Sequence, residues 1–484
     1  MRTQINISAR LHPVEFSPGV WILGSLFVMY RLVTSLNPLE ELYAYLVLGM
    51  IIRLLWNRGV PPVFLFISAI HWLQIYMFLV WNNFYGWRVN TYYSTGGDAF
   101  WLSMTGVGLM TLIFHQILKK TAWANADTFN KESFHFSSVP VFWAYIFLTV
   151  FNGVLFQWAV TIPSIGQILF WMIDLREVML LFYAWLVMVK KEPKWGLIFL
   201  CLIHFVLSLT SYFGGYKSVF ILLALLIAMR IRYVNLFRMV AVIMGLAFFL
   251  FLSSIWLSVR NEYRIFLNRG TKMQVVKVSR QESLQQLYLL VSHITPHQLY
   301  KGFENMIYRI QYLQYFSLAM QRVPNMIPYQ QGNLTLSNLE FVLVPRILDP
   351  DKPTLDASRK TIRYTGAQVA TAQEGTSISM GYFVDFYIDF GSIGMFFPLI
   401  LFWLLIGWSY QYFVRHLSFS VTLNAMVMMI FLKRFYLFET DAIGMIGGLY
   451  TMLITLVLLR WFLMPVLMRL FSYKLPHAKR VQPA

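Results

Sequence analysis

The chain has 484 residues, of which 58% are hydrophobic, 18% aromatic and only 12% charged, and it carries a formal charge of +18. Soluble domains carry roughly 25% charged residues, so this composition excludes a water-soluble globule and asks for lipid as the solvent. The basic excess does not point to nucleic acid, because the charges lie between apolar segments and in one long loop, with no basic tail or RNA-binding signature. The single cysteine, Cys201, excludes a disulfide framework and a thiolate metal cluster within one chain.

In chain order, hydropathy with turn residues as punctuation predicts about twelve crossings, at residues 18–35, 41–57, 61–81, 99–118, 139–160, 165–189, 195–212, 217–231, 238–257, 386–413, 419–434 and 443–465. A hydrocarbon core of roughly 30 Å takes about 20 helical residues, and the apolar run 239–259 meets that alone. In lipid each segment must satisfy its own backbone amides, so these runs read as helices. The short alternating segments of a β-barrel are missing from the sequence. The first apolar segment begins near Gly19 without a small-residue cleavage site and reads as a retained helix. Alternate loops separate by charge. One set holds Arg2, Arg10, Arg53, Arg58, Lys119, Lys120, Lys131, Lys190, Lys191, Lys194, Arg230, Arg232, Arg238, Arg415 and, near the C-terminus, Lys474, Lys479 and Arg480; the short loops of the other set hold only Arg88, Lys217, Lys433 and Arg434. The positive-inside rule then predicts that both termini are cytoplasmic.

This topology divides the chain into residues 1–257 with nine crossings, an outer loop at 258–385, and residues 386–484 with three crossings and a cytoplasmic tail. A loop of that length reads as a lid, a binding loop or a small subdomain. Helical spacing runs through 283–300 and 302–322, as in Met306, Ile307, Ile310 and Leu313. Two roles stand side by side for these segments: amphipathic helices that lie on the membrane or cap the bundle, and contact with substrate. Between Val259 and Ser379 the loop holds fourteen basic residues against eight acidic ones, and arginine prevails over lysine. The planar guanidinium fork suits bidentate binding of phosphate or carboxylate. For the cluster as a whole an anionic substrate is the favoured reading; for any one residue, a solvated surface or a lipid headgroup contact competes.

Ionisable groups in or beside apolar helices are costly and invite a functional reading. Lys217 closes the turn from Tyr212 at an outer membrane edge, where it either snorkels or binds a phosphate. Asp174, Arg176 and Glu177 fall midway along the sixth segment, as a self-neutralising structural cluster or a substrate contact. Asp385 and Asp389 lie four apart, on one helix face at the outer mouth of the tenth segment. Mutual repulsion would raise one pKa, which suits a general base; helix capping or pairing with loop arginines is the competing role. Cys201 and His204 read as packing in a helix middle. His293 and His297 have metal-like spacing but are interrupted by Pro296, and Asn333-Leu334-Thr335 fits a glycosylation acceptor.

Three stretches carry a family resemblance. They are Val344-Pro345-Arg346-Ile347-Leu348-Asp349-Pro350-Asp351-Lys352-Pro353, then Thr376-Ser377, then Gly381-Tyr382-Phe383-Val384-Asp385-Phe386-Tyr387-Ile388-Asp389-Phe390-Gly391. Together they resemble the oligosaccharide repeat-unit (O-antigen type) polymerases of bacteria, which tend to show a Pro-Arg…Lys-Pro stretch and then Gly…Glu-x-Tyr-x-Asn-Phe-Gly. Gly214-Gly215-Tyr216-Lys217-Ser218 is similar to that family's Gly-Ser-Arg segment. Asp385 stands where Glu is commoner, Asp389 where Asn is usual, and Lys217 where Arg is usual.

The resemblance implies an all-α, GT-C-like fold and a glycosyltransferase at the periplasmic face of the inner membrane. It would move a growing glycan from undecaprenyl diphosphate onto the non-reducing end of another lipid-linked repeat unit. Its partners would be lipid-linked oligosaccharide, membrane lipids and a chain-length regulator, with no cofactor and no metal. Asp385 and Arg346 are the implied catalytic residues, Asp385 deprotonating the acceptor hydroxyl or orienting the sugar. Lys217, Arg260, Arg264, Arg309 and Lys352 would bind the diphosphate, and Tyr387 and Asp389 the sugar. The rival readings are a ligase acting on the same donor, a flippase or exporter of the same glycan, and a sortase-like transpeptidase.

Overall fold

Apolar runs that must satisfy their own backbone fold as helices, and the computed structural model is built almost wholly of them. It describes residues 10–472 except 163, 211, 213, 214, 216, 272–275, 345–348, 350, 351, 353–355 and 372–376. A short strand β1 (Glu15–Phe16) precedes α1 (Pro18–Thr34), α2 (Pro38–Leu55), α3 (Val63–Phe84) and α4 (Gly96–Thr121). There follow α5 (Ala126–Ser133), α6 (Ser138–Thr161), α7 (Gly166–Ile173), α8 (Leu175–Lys190), α9 (Trp195–Leu209) and α10 (Lys217–Arg230). After strand β2 (Tyr233–Val234) comes α11 (Leu236–Leu267), then α12 (Arg280–Ser292), α13 (Pro296–Ile310), α14 (Leu313–Arg322), α15 (Asn333–Leu343) and α16 (Ala357–Thr365). The chain ends in α17 (Tyr382–Gly394), α18 (Phe396–His416), α19 (Val421–Lys433), α20 (Ala442–Leu458) and α21 (Met464–Phe471), the last two joined by a π-helical turn.

Among the described residues six helices are long and apolar enough to cross a membrane: α3, α4, α6, α11, α18 and the continuous stretch Ala442–Phe471. The apolar helices α1 and α9 are shorter. The difference from the twelve crossings expected has identifiable causes. The segment expected at 165–189 breaks at Asp174 into α7 and α8. The one expected at 386–413 breaks at Met395 into α17 and α18. α10 has 14 residues and α19 has 13. From Thr422 to Lys433 every residue of α19 is buried, so protein rather than lipid surrounds it. α6 and α11 are the opposite, with most of their apolar surface on the outside.

The core centres on α19 and on α17, in which every residue from Tyr382 to Asp389 is buried. Glycines bracket α17 for a steric reason. Gly381 and Gly391 have φ of 94° and 74°, a region that side chains disfavour. A Cβ would lie 2.7 Å from the Phe438 carbonyl at the first and 3.1 Å from the Tyr329 ring at the second.

Several connecting loops meet at one end of the bundle. β1 pairs in parallel with β2, and Pro13 bridges to Asn57. At that end too, Phe136 bridges to Ser472 and Lys190 donates to the Phe136 carbonyl. Glu132 accepts the Val421 and Thr422 amides at 3.1 and 2.8 Å, capping α19. α1 has no buried residue; it is held by the strand pairing at one end and an Arg31–Glu41 ion pair at the other.

α11 continues to Leu267, ten residues past the end expected for its crossing. Capping boxes at Ser279/Glu282 and Thr295/Gln298 start α12 and α13, as their Ser/Thr-x-x-Glu/Gln spacing dictates. α13 packs along α11 and against α3, while α14 packs against α4, α16 and α17. Gly302 permits the first contact, since a Cβ there would meet the Ser254 carbonyl at 2.5 Å.

Candidate active site

Asp385 sits in the first turn of α17, buried to 1% exposure. Its Oδ2 accepts from Lys360 Nζ at 2.8 Å and from the Ala442 amide at 2.7 Å. Lys360, on α16, also donates to Asp441 Oδ2 at 3.4 Å. Asp441 in turn caps α20 through the Gly444 amide at 3.1 Å. Burial works to discharge the Lys360 ammonium, but the carboxylates of Asp385 and Asp441 outweigh it and hold the group above its ordinary range. Among the described residues, Asp385 Oδ1 is buried and has no hydrogen-bond partner. Buried acceptors are nearly always satisfied, so this oxygen is poised for a donor from outside the protein.

The turn after α19 continues the polar wall. Gln74 of α3 accepts the Phe438 amide at 3.0 Å and donates to Glu439. Tyr312, whose hydroxyl donates to the Ser379 carbonyl, feels Arg309 as well as Glu439 and Asp441. Burial and these acids push its hydroxyl above the usual phenol range, against the pull of Arg309. Tyr312 is therefore the hinge between the acidic network and a group of cations.

That group draws on three helices. Lys217 is the first residue of α10, Arg260 and Arg264 lie one turn apart on α11, and Arg309 is in the last turn of α13. Arg309 interacts electrostatically with each of the other three. The Arg264 guanidinium lies 5.0 Å over the Tyr212 ring and donates to the Tyr212 carbonyl at 3.2 Å. Lys217 Nζ lies 5.6 Å over the Phe249 ring. Arg260 Nε is buried without a hydrogen-bond partner. Among the described residues no carboxylate forms an ion pair with Lys217, Arg260 or Arg309. Cations held together without a counter-charge repel, and an anion among them relieves that repulsion.

Of the residues singled out from sequence, Lys217, Arg260, Arg264 and Arg309 thus come together, while Asp385 is linked through Lys360 to Asp441, whose charge Tyr312 feels together with that of Arg309. Arg346 lies outside the described residues, as do Gly214, Tyr216 and most of the Pro-Arg…Lys-Pro stretch. Lys352 belongs elsewhere: it donates to the Phe341 and Val344 carbonyls at the end of α15 and lies 3.9 Å over the Phe341 ring. Asp389 accepts the Leu334 and Thr335 amides at 3.0 and 2.6 Å, so it caps α15. Tyr387 is enclosed by Phe316 and Tyr329 and donates to the Val323 carbonyl at 2.9 Å. Its ring is a core ring with no face for a sugar. Lys360, Asp441, Glu439, Gln74 and Tyr312 carried no sequence signal of their own. An Asp just before a helix reads as a cap, and Asp441 is one; its second partner comes from 81 residues away.

A second polar group lies within the bundle. Asp174 pairs with Arg434 at 2.5 Å and Glu177 pairs with Lys433. The acids expected to neutralise Arg176 pair instead across helices. His204 contacts Ser218 Oγ at 2.8 Å and Tyr145 at 3.2 Å, tying α9 to the turn that presents Lys217.

Residues 109–412 match the family model described as Domain of unknown function (DUF8712). No curated protein and no solved structure matches the chain.

Proposed function

The chain belongs to the DUF8712 family, and we propose that it is a glycosyltransferase that polymerises undecaprenyl-diphosphate-linked oligosaccharide repeat units. The observation that carries this reading is the gathering of Lys217, Arg260, Arg264 and Arg309. Depth supports it. At about 1.5 Å per residue, residues 238–257 cover about 30 Å, the thickness of a hydrocarbon core. Arg260 and Arg264 follow three and seven residues later, about 5 and 10 Å further along α11, which is the depth of a lipid headgroup.

In this mechanism the acceptor hydroxyl oxygen attacks the anomeric carbon of the donor glycan. Its proton passes to Asp385 Oδ1, the glycosidic bond to the diphosphate breaks, and the lipid diphosphate leaves with both bonding electrons. The cations stabilise the charge that develops on it, and such fixed donors act most strongly where water is excluded. Lys360 favours the ionised form of Asp385, against the burial that raises its pKa. The unfilled Oδ1 and Arg346, by resemblance, complete the proposed catalytic pair.

The wider proposal places the cation end at the periplasmic face of a bacterial inner membrane and the loop end of the bundle, with both termini, in the cytoplasm. About twelve crossings in a GT-C-like arrangement follow if α2, α8, α10 and α19 cross as short or broken helices shielded by protein. Lipid-linked oligosaccharide and a chain-length regulator are the proposed partners, with no cofactor and no metal. A ligase would share donor and site; a flippase is less favoured because the acids inside the bundle, Asp174 and Glu177, pair with Arg434 and Lys433.

Purified protein incubated with its lipid-linked repeat unit should yield a ladder of longer glycans without nucleotide sugar, and the ladder should survive EDTA. A requirement for a nucleotide sugar, or single transfer to a lipid-A core with no ladder, would overturn the polymerase reading.

A further inference from the structure

At the end of the bundle where the strands pair, far from the cation group, lies a pocket of about 430 Å³. Its polar lining is Arg10 from the N-terminal segment, Arg53 and Asn57 from the end of α2 and the turn after it, and His115 and Lys119 from the last turns of α4. Leu54 contributes to its apolar floor. Among the described residues the lining includes no acid. Arg10, Arg53 and Lys119 are exposed at the rim, free to turn their charges toward a ligand.

Two deeper groups narrow the ligand's chemistry. Asn57 is 2% exposed, and its Nδ2 donates to the Leu54 carbonyl at 2.9 Å, which fixes the amide the right way round. Among the described residues its Oδ1 has no partner, so the pocket offers a buried acceptor that wants a hydroxyl or an N–H. His115 Nδ1 lies 3.0 Å from the same carbonyl. A carbonyl can only accept, so Nδ1 carries the proton and Nε2 is left for the ligand. The pocket thus combines three cations for an anion with two acceptors, Asn57 Oδ1 and His115 Nε2, for hydroxyls. Ligand sites run to roughly 300–1,000 Å³, so a headgroup fits here and a whole lipid does not.

We propose that this pocket binds a phosphate that carries a hydroxyl-bearing substituent, of the phosphoglycerol type, at the face of the membrane opposite the cation group. The ligand is either the headgroup of an anionic lipid or a soluble phosphate ester. The inference stands independently of the glycosyltransferase reading.

The test is native mass spectrometry of the detergent-solubilised full chain with phosphatidylglycerol and, separately, with sn-glycerol 3-phosphate. The comparison is the wild type against R53Q/K119Q, which alters two exposed residues and spares the fold. A control variant, K131Q/K191Q, removes two exposed cations outside the pocket. We expect one tightly held equivalent of one probe, weakened at least tenfold in R53Q/K119Q and unchanged in K131Q/K191Q. Retention of phosphatidylglycerol alone assigns the lipid source; retention of glycerol phosphate assigns the soluble one. Equal weakening in both variants would mean general attraction of anionic lipid to a basic surface, which is worth about 1 kcal/mol per Lys or Arg, and would overturn the site. Equal binding of phosphatidylcholine, or binding unchanged in R53Q/K119Q, would overturn it too.

Discussion

Replacing Lys360 by Met tests the buried network most directly. The change keeps most of the stem but leaves Asp385 with one donor, the Ala442 amide at 2.7 Å, and faces it with the Asp441 carboxylate that Lys360 now bridges. Asp385 is 1% and Lys360 16% exposed, so water cannot take over the lost role. Breaking such a pair from one side costs roughly 3–5 kcal/mol, most of it the stranded charge. Asp385→Asn, which removes the charge and a charge-assisted hydrogen bond, should cost about 1.5–3 kcal/mol alone. In K360M/D385N no charge is stranded on α17, so the double variant should lose less than the sum by about 1–3 kcal/mol. Equilibrium unfolding of the detergent-solubilised protein measures all four corners of the cycle. Losses that add to within about 0.5 kcal/mol would refute the claim that Lys360 and Asp385 act as one unit.

The remaining expectations follow from the same contacts. Arg309→Ala should leave the ligand-free protein as stable as before or more so, because it relieves like-charge repulsion, while ladder formation falls at least a hundredfold. A loss of stability with activity intact would contradict that assignment. Asp389→Ala should cost about 1–2 kcal/mol, as for a lost helix cap, and should raise amide exchange at Leu334 and Thr335; unchanged exchange there would remove the capping role. Lys360 has a raised folded pKa, so its contribution is fully present below the ordinary lysine value of 10.5 and is lost as pH rises through the higher folded value. Wild-type stability should therefore fall at the alkaline end more steeply than that of K360M, and parallel pH profiles would count against the pairing.

Helix content and the apolar nature of the chain were legible because hydropathy needs only local sequence. The loop arginines were legible as a class for the same reason. Which of them meet was not. Arg260 and Arg309 are brought together by the approach of α13 to α11 at Gly302, a contact with no local signature. Hydropathy also could not see that the run around Met428 is surrounded by protein, since a buried helix and a lipid-facing one have the same composition. The sixth segment was read as continuous because its apolar residues are; Asp174 ends α7 there, and its ion pair with Arg434 is what repays the break. Asp385 and Asp389 looked alike, four residues apart on one face. Their partners separate them, one left with an open oxygen and the other filled by the start of α15.

The first helix buries no residue; besides the latches at its two ends it touches α2, as where the Phe27 ring lies 6.3 Å from that of Tyr45, and α11. Apolar side chains that already face acyl chains lose little when they move away from a neighbour, since lipid tails are as apolar as leucine. Swinging α1 sideways would thus disturb a few polar latches and almost no packing. The surface between α1 and α2 behaves as a shutter in the wall of the bundle, and its position in a purified sample should depend on the chain length of the amphiphile chosen to extract it.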